Sequence, residues 1–413
     1  MNKITVRTLD CGMPLVVEEM AGVRSAALSW LVPAGVATEP QGKPGLCPMW
    51  AELLMRGAGD LSSREHADAL DRLGVGRSAE PGMQHLRIGA TMLGTRVLEA
   101  LPLIVDMVRR PRMEGESIGP VRDLALQAIE SLKDDPHARA GLAARSRHFP
   151  GPFNRSTLGT VEGLNAITRT DLVEGWVARA RPGGSIFGLA GAVEPDAAAR
   201  KLNELLKDWS GSWPEAVPAG MPARGYAHES DESNQVQIIV LMDGPREPET
   251  TSILEKVVVS VLSGGMSGRL FSEVREKRGL CYSVAAGYSG GKQFGAVEGY
   301  VGTTPERAQQ SLDVLMAELA RINTPAGEVN QSELSRALIG MKSRLVFSGE
   351  STGARAASLA SDLHRLGRPR SLDEMAAEVD AVTLERVNQY LAGRKLGRTT
   401  VQTLGPAALT VPG

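Results

Sequence analysis

The chain contains the same succession of elements twice, and this repeat limits its possible folds more than any other feature. One copy begins at Leu70 with "LDRLGVGRSAEPGMQHLRIGATMLGTRVLEALPLIVDMV", and the other begins at Val274 with "VREKRGLCYSVAAGYSGGKQFGAVEGYVGTTPERAQQSLDVLMAEL". Each copy runs from a helix end through a glycine, two strand-like runs and a Gly-Thr pair into a long amphipathic helix, and a further helix follows. Chance similarity between two α+β stretches is the alternative, but the order and type of successive elements agree, so two similar domains are predicted.

The repeat predicts an α+β fold of two homologous domains. The order of strands and helices in each half is typical of a mostly antiparallel sheet with helices packed on one side. Proline, glycine and serine cluster in "DWSGSWPEAVPAGMPARGY", residues 208–226, which is typical of a linker. We therefore predict one domain over residues 1–215 and a second domain over residues 225–413.

The composition excludes several classes of protein. The formal net charge is −2 and aromatic residues make up 4% of the chain, so neither a basic nucleic-acid surface nor a base-stacking platform is indicated. No apolar run is long enough to span a membrane. Three widely spaced cysteines argue against a disulfide framework and a Cys-type zinc site. Because the first residues lack the apolar segment of a signal peptide, we expect the cytoplasm, or the periplasm if a leader was removed.

Four stretches of the sequence carry a resemblance to a known family. They are "LDCGMPLVVEEM", "PGLCPMWAELLMRGAGDLSSREHADALDRLG", "NRSTLGTVEGLNAITRTDLVEGWVARARPGGSIFGLAGAV" and "VVVSVLSGGMSGRLFSEVREKRGLCYSVAAGY". The stretches are spread over nearly the whole chain, and the last is the most specific because its Gly, Arg, Phe, Glu, Arg, Gly and Tyr residues fall in order. The chain resembles the insulinase and mitochondrial-processing-peptidase family of pitrilysin-type zinc peptidases, also called inverzincins.

The resemblance implies that the zinc motif of this family is degenerate here. Such enzymes hold zinc through H-x-x-E-H on a helix and through a later Glu. Gly45 and Gly57 align with the glycines that bracket the motif. This alignment places Pro48 at the first His, Ala51 at the general-base Glu, Glu52 at the second His and Val121 at the distal Glu ligand. Glu130 lies in the same predicted helix as the distal position.

The histidines support the loss of the motif independently of the resemblance. No two of the six histidines stand three, four or five residues apart, so no helix carries a His pair suited to zinc. Glu52 alone cannot hold the metal, and its expected role is an ion pair with Arg56 four residues later. We therefore expect no cofactor in this chain.

Arg275 and Tyr282 are the residues that the resemblance marks as catalytic. In the family, an Arg and a Tyr from the second half bind the substrate backbone and help to stabilise the tetrahedral intermediate, and both can donate hydrogen bonds to a developing oxyanion. Arg275 is expected in the last turn of a helix that Gly279 ends, with Tyr282 early in the next strand, so that the two side chains converge. The alternative is a solvated charge cluster around Arg275 and a half-buried strand aromatic at Tyr282.

A glycine-rich stretch, "SGGMSGRLF", precedes this pair. In the resemblance it is a flexible loop near the substrate entrance, so Gly264, Gly265 and Gly268 are predicted to bind substrate. A P-loop is excluded because its Lys-Ser/Thr is missing, and a G-x-S-x-G nucleophile turn is excluded because Arg269 replaces the last Gly.

These residues predict the non-zinc subunit of a heterodimeric zinc endopeptidase, inactive alone. The resemblance implies a homologous partner that carries H-x-x-E-H and the zinc ion, with unfolded peptides as substrates that add a strand to a sheet edge of that partner. One alternative is a catalytically silent structural or peptide-binding pseudopeptidase, comparable to the respiratory-complex core subunits of the same family. Another is an enzyme that acts alone through a different metal or nucleophile.

Overall fold

Residues 3–411 are described by the computed structural model, and they divide into two compact units. Unit 1 comprises the residues up to Ser131 with Gly151–Ala219 and Ser348–Ser371, and unit 2 comprises Leu132–Pro150, Gly220–Phe347 and the residues from Leu372 onward. The strands are β1 (Lys3–Thr8), β2 (Pro14–Glu19), β3 (Ser25–Val32), β4 (Gly76–Glu80), β5 (Leu86–Leu93), β6 (Ile186–Gly191), β7 (Gly225–Ser230), β8 (Val236–Gly244), β9 (Cys281–Gly290), β10 (Gly295–Thr303) and β11 (Thr400–Gly405). The helices are α1 (Leu46–Leu54), α2 (Ser63–Arg72), α3 (Val97–Arg109), α4 (Gly115–Glu130), α5 (Pro136–His148), α6 (Val161–Ala166), α7 (Arg169–Arg179), α8 (Pro195–Leu206), α9 (Ser252–Ser263), α10 (Ala308–Arg321), α11 (Gln331–Gly349), α12 (Thr352–Leu366), α13 (Leu372–Asp380) and α14 (Leu384–Gly393).

Unit 1 is built on a six-stranded sheet in the order β1-β2-β6-β3-β5-β4. β2 and β6 run parallel, whereas the other neighbouring strands run antiparallel. Side chains of β3 alternate between the two faces, as expected for a strand buried on both sides. Leu28 and Trp30 pack in one large core with apolar residues of α1, α3, α7 and α8, whereas Ala27 and Leu31 belong to smaller clusters on the opposite face.

Unit 2 repeats this architecture with a five-stranded sheet in the order β7-β11-β8-β10-β9. Its strands β11-β8-β10-β9 match β6-β3-β5-β4 of unit 1 in order and direction, and β7 pairs parallel to β11 as β2 pairs parallel to β6. The predicted α+β fold of two similar, mostly antiparallel domains is thus confirmed.

Each unit also contains a helix from the other half of the sequence. α5 follows α4 in the first half, yet it packs against β8 and β11 of unit 2. Its Ala140 and Ala144 form a buried cluster with Ile239, Leu241 and Leu404. α5, and the helix that is exchanged into unit 1, each lie on the second face of the sheet in their unit. The sequence predicted helices on one face only.

α12 makes the reciprocal exchange. It follows α11 in the second half and packs against β2, β3 and β6 of unit 1, where Ala356 and Leu359 are buried with Val16 and Ala190. The division into domains at residues 215 and 225 stays a prediction, and the change of unit at Ala219 and Gly220 falls within the predicted linker. Among residues 3–411, no helix has both the length and the apolar composition needed to cross a bilayer.

Candidate functional site

The helix that matches the zinc motif is α1, and it is held by a buried carboxylate at its N-terminus. The Glu39 carboxylate accepts hydrogen bonds from the N–H of Cys47 at 2.7 Å and the N–H of Gly45 at 3.2 Å, as an anion at a helix N-terminus does. Burial raises the pKa of Glu39 from its ordinary value of 4.5 to about 7, although these N–H groups and the charges of Arg155 and Arg179 act in the opposite direction.

The motif positions of α1 present no metal-binding surface. Pro48 is half-buried and Ala51 is buried, and Glu52 is exposed. The expected ion pair between Glu52 and Arg56 is absent from the ion pairs of residues 3–411, so that prediction was wrong. The reason is that α1 ends at Leu54, so Arg56 lies beyond the helix and not one turn above Glu52.

The predicted distal position also lacks a ligand. α4 packs against α1, but Val121 is fully buried in the apolar core of unit 1, and Glu130 is exposed at the last residue of α4. No group of three or more His, Cys, Asp or Glu residues within 3–411 could hold a metal ion. The residues at the motif positions therefore do not fit zinc, because they offer one exposed carboxylate where the metal needs three or four ligands.

Arg275 and Tyr282 lie side by side in unit 2. Arg275 is in a π-helical segment, Phe271–Glu276, and the chain turns at Gly279, which has a positive φ of 59° and donates its N–H to the Arg275 carbonyl at 2.9 Å. The guanidinium carbon of Arg275 lies 5.3 Å from the centre of the Tyr282 ring and 4.9 Å from the centre of the Phe271 ring. The guanidinium thus contacts two aromatic rings at cation–π distances, which holds it beside the phenol.

A β-bulge turns the Tyr282 side chain towards solvent. In the pairing of β9 with β10, Cys281 lies opposite Thr303 and Ser283 lies opposite Gly302, so Tyr282 is an extra residue without a cross-strand partner. Such bulges bend a strand and redirect a side chain. Tyr282 is 84% exposed, which makes the half-buried strand aromatic considered from the sequence the wrong description.

The charges around Arg275 do not neutralise it. Glu273 accepts hydrogen bonds from Lys277 at 2.6 Å and from Arg278 at 2.7 Å, and these bonds lower the pKa of Glu273. Among residues 3–411, Arg275 has neither a hydrogen bond nor an ion pair to a carboxylate. The cluster therefore contains two paired cations and one exposed guanidinium that can donate to a ligand.

The neighbouring thiol of Cys281 is not an activated nucleophile. Burial raises the pKa of this thiol, and the positive charge of Arg275 opposes the effect only in part. A cysteine reacts through its thiolate, so a raised pKa makes Cys281 a weak nucleophile at neutral pH.

The glycine-rich loop connects α9 to the π-helical segment. A Cβ atom on Gly264 would come within 2.3 Å of the Ser260 carbonyl oxygen, and Gly265 has a φ of +143°, so both positions require glycine. Gly268 is buried at the end of the loop, where its N–H bonds the Gly265 carbonyl at 2.9 Å. The predicted role of the three glycines in substrate binding stays a prediction.

Arg269 anchors this loop to the start of α11. Its guanidinium forms two hydrogen bonds of 2.7 Å with the Glu333 carboxylate and a third of 2.6 Å with the Gly327 carbonyl. Between the loop and α11 lies a surface cavity of about 30 Å³, lined by Ser260, Gly264, Ser267, Gly268, Glu333 and Arg336. A volume of this size holds a water molecule, and it is too small for a peptide side chain.

Sequence reasoning identified Arg275 and Tyr282, and the structure brings them together. It missed the contact of Arg275 with Phe271, the bulge at Tyr282 and the anchor formed by Arg269. The bulge depends on the register of two strands, and no local pattern in the sequence reports that register. The sequence signal for the Arg269 anchor was its position in "GRLF", directly after the glycines and among apolar residues. An Arg that is buried at such a position needs a carboxylate partner.

Comparisons with known proteins agree with this two-unit fold. Residues 166–341 match the family model described as the peptidase M16 inactive domain. An uncharacterized zinc protease of Mycobacterium leprae is 27% identical to the chain, over 97% of this chain and 91% of that protein. A protein of the same description from Streptomyces coelicolor is also 27% identical, over 97% of this chain and 90% of its own length.

Solved structures share the fold over nearly the whole chain. A peptidase M16 inactive domain from Pseudomonas fluorescens superposes with a TM-score of 0.87 at 20% identity, covering 99% of both chains. A protease from Helicobacter pylori gives a TM-score of 0.84 at 16% identity, over 98% of this chain and all of the other. A chain of complex III2 from Candida albicans gives 0.83 at 15% identity, over 98% of this chain and 96% of the other.

Residues 166–341 match the M16 inactive domain, the relatives are described as zinc proteases, and the solved structures share the two-unit α+β fold. The chain thus resembles the M16 peptidases, and the resemblance predicted from the sequence is confirmed.

Proposed function

We propose that this chain is the non-zinc subunit of a heterodimeric zinc endopeptidase. Arg275 and Tyr282 would bind the substrate backbone and stabilise the tetrahedral intermediate at the zinc site of a homologous partner. The observation that carries the proposal is the pairing of an exposed phenol with an exposed guanidinium that has no carboxylate partner among residues 3–411.

The chemistry of this pair suits an oxyanion. As water adds to a peptide carbonyl, negative charge develops on the carbonyl oxygen, and donors fixed in advance stabilise that charge most. Arg275 supplies guanidinium N–H groups and Tyr282 supplies a phenolic O–H. Their mutual contact and the Phe271 ring restrict both side chains, which lowers the entropy lost when they bind substrate.

The residues at the motif positions of α1 and α4 do not form a set of zinc ligands, and this supports the proposed need for a partner chain. A chain with donors for the intermediate but no means to activate water needs another molecule to supply the metal and the nucleophile. The relatives described as zinc proteases and the match to an M16 inactive domain support a partner of the same family.

The competing function is a catalytically silent structural or peptide-binding pseudopeptidase. The shared fold with a chain of complex III2 from Candida albicans favours it, since a chain of this architecture occurs in that complex. The contact between the exposed Arg275 and Tyr282 side chains favours the catalytic subunit, because two hydrogen-bond donors held side by side can bind the same oxyanion.

The experiment is reconstitution with a homologue from the same organism that carries H-x-x-E-H. A quenched fluorescent peptide is incubated with each chain alone and with the mixture, after both chains have been dialysed against chelator and then supplied with zinc. The proposal expects no cleavage by this chain alone and a rate in the mixture well above that of the partner alone.

Two results would contradict the proposal. Zinc-dependent cleavage by this chain alone would show that it activates water itself. A mixture that forms a stable complex yet cleaves no faster than the partner would instead favour the structural alternative.

A further inference from the structure

We propose that the outward side of α11 joins two copies of this chain through an antiparallel pair of helices. We call this surface the α11 face, and it comprises Arg336, Ile339, Ser343, Val346, Phe347 and the residue directly after the helix, Glu350. All six are exposed. This inference goes beyond the proposed function, because it concerns a contact between identical chains that needs neither a zinc-bearing partner nor a metal.

α11 carries large apolar side chains on the side that faces away from its own core. Leu334 and Met341 are buried in the core of unit 2. On the opposite side of the helix, Ile339 is 66% exposed, Val346 is 60% exposed and Phe347 is 70% exposed. The solvent side of a surface helix ordinarily carries polar residues. Three large apolar side chains there indicate a surface that another molecule covers.

The residues of the α11 face recur at the spacing of paired helices. Positions 336, 339, 343, 346 and 350 follow one another at alternating intervals of three and four residues, so they form one stripe along the helix. This alternation is the repeat by which two helices pack side by side. Gly340 and Ser343 lie near the middle of the stripe, and their small size lets a second helix approach closely. The stripe therefore fits a helix as its occupant.

The α11 face is complementary to a second copy of itself. In an antiparallel pair with its two-fold axis at Ser343, residues that are equally far from Ser343 on either side lie opposite each other. Ile339 of one copy then lies opposite Phe347 of the other, and Arg336 lies opposite Glu350, each pairing occurring twice. Two ion pairs thus flank a central apolar strip. A parallel pair would place Arg336 beside Arg336 and Glu350 beside Glu350, which like-charge repulsion disfavours.

The two charged residues of the α11 face have no ion-pair partner in the part of the chain that the structure describes, residues 3–411. Arg336 donates a hydrogen bond of 2.6 Å to the Ser332 hydroxyl, and neither Arg336 nor Glu350 contacts an opposite charge. Lys342, on the flank of the same helix, is in contrast paired with Asp380. The charges that a second copy would neutralise are therefore the unpaired charges of this face.

An anionic membrane is the competing occupant, because apolar residues flanked by cations also suit a lipid surface. Arg336, Lys342 and Arg344 would supply the cations. Two observations favour a second copy instead. Glu350 would be repelled by anionic lipid, and the charge of Lys342 is already balanced by Asp380. The Arg336 and Glu350 charges thus match the antiparallel copy better than they match a membrane.

The test is sedimentation velocity of the full chain alone, in the presence of chelator, over a series of protein concentrations. An interface of one helix pair lies at the small end of known interfaces, so we expect a dimer with a Kd of about 1–100 μM. Phe347→Asp should weaken association about tenfold or more, because it places a carboxylate in the apolar strip. Leu124→Asp, the matched change at an exposed leucine of α4 in unit 1, should leave association unchanged.

A charge exchange tests the antiparallel register. Arg336→Glu and Glu350→Arg should each weaken the dimer, because each places like charges opposite one another, and the double variant should restore it. Ser343→Cys should form a disulfide-linked dimer on mild oxidation, since the two-fold axis brings this position beside its own copy. The wild type, with its three native cysteines, is the control and should not form that dimer.

The inference is overturned by a chain that stays monomeric at every concentration or by a dimer that Phe347→Asp leaves intact. A double charge exchange that restores nothing would also overturn the antiparallel pair. Binding to phosphatidylglycerol vesicles that Phe347→Asp abolishes, with no dimer in solution, would assign the face to a membrane and overturn the inference as well. None of these measurements includes a partner chain or zinc, so a failure here is distinguishable from a failure of the proposed peptidase role.

Discussion

The guanidinium of Arg355 in α12 donates two hydrogen bonds to one carboxylate oxygen of Glu18 in β2, at 2.8 and 2.5 Å. Both side chains are 2% exposed, although the residues come from opposite ends of the chain. The pair fixes the exchanged helix α12 to the sheet of unit 1, and the second Arg355 nitrogen also donates to the Arg370 carbonyl.

Breaking this pair should destabilise unit 1. Arg355→Met leaves the Glu18 carboxylate buried without its cation, which typically costs about 3–5 kcal/mol. All five tryptophans lie in unit 1, so tryptophan fluorescence during urea unfolding reports this unit. As a control, Arg7→Met removes one partner of an exposed pair with Asp196 and should cost about 0–1 kcal/mol. Equal losses in the two variants would contradict a structural role for the buried pair.

The exchange of helices predicts the behaviour of a nicked chain. Met221 is 97% exposed and follows the change of unit at Ala219, so the segment around it is open to a protease. After one cut there, the two fragments should stay together on native size-exclusion chromatography and separate only under denaturing conditions. The reason is that α5 packs within unit 2 and α12 packs within unit 1. Fragments that elute separately in native buffer would contradict the exchange.

Glu39 should make the stability of unit 1 depend on pH. Its pKa in the folded chain is about 7, above the ordinary value of 4.5, so protonation favours the folded state. The stabilising contribution is complete below about pH 4.5 and is lost as the pH rises through about 7, and a shift of this size corresponds to about 3 kcal/mol. Glu39→Gln is neutral throughout and should lack this loss.

The measurement is the difference in unfolding free energy between wild type and Glu39→Gln at pH 5 and pH 8, followed by tryptophan fluorescence. Wild type should lose stability relative to the variant as the pH rises. Glu52→Gln, an exposed change on the helix that Glu39 caps, is the matched control and should follow the wild type. A difference that is the same at both pH values would refute the assignment to Glu39.

The resemblance singled out Arg275 and Tyr282, and local sequence features predicted that they lie close together better than they predicted the packing around them. Gly279 ends the Arg275 segment and Tyr282 follows in a strand, and both features depend on neighbouring residues alone. The same reasoning failed for Glu52 and Arg56, because a spacing of four residues brings two side chains together only within a helix, and α1 ends at Leu54.

Packing between distant segments could not be predicted from the pattern. The sequences of α5 and α12 indicate helices, but the residues that cover them, such as Leu241 for α5 and Val16 for α12, lie far away in the chain. Hydrophobic periodicity identifies the buried face of a helix and does not identify the sheet that buries it. The bulge at Tyr282 was missed for a related reason, since it is defined by the register with β10.

The central claim is that this chain stabilises the tetrahedral intermediate while a partner chain supplies the zinc ion. Its most direct test is the kcat of the reconstituted complex with Arg275→Ala in this chain. Loss of one donor to the developing oxyanion should lower kcat by about 10²–10³, with a much smaller change in KM. Arg278→Ala, three residues away and already paired with Glu273, should leave kcat nearly unchanged. A complex whose kcat is the same with Arg275→Ala, or falls equally with Arg278→Ala, would contradict the account.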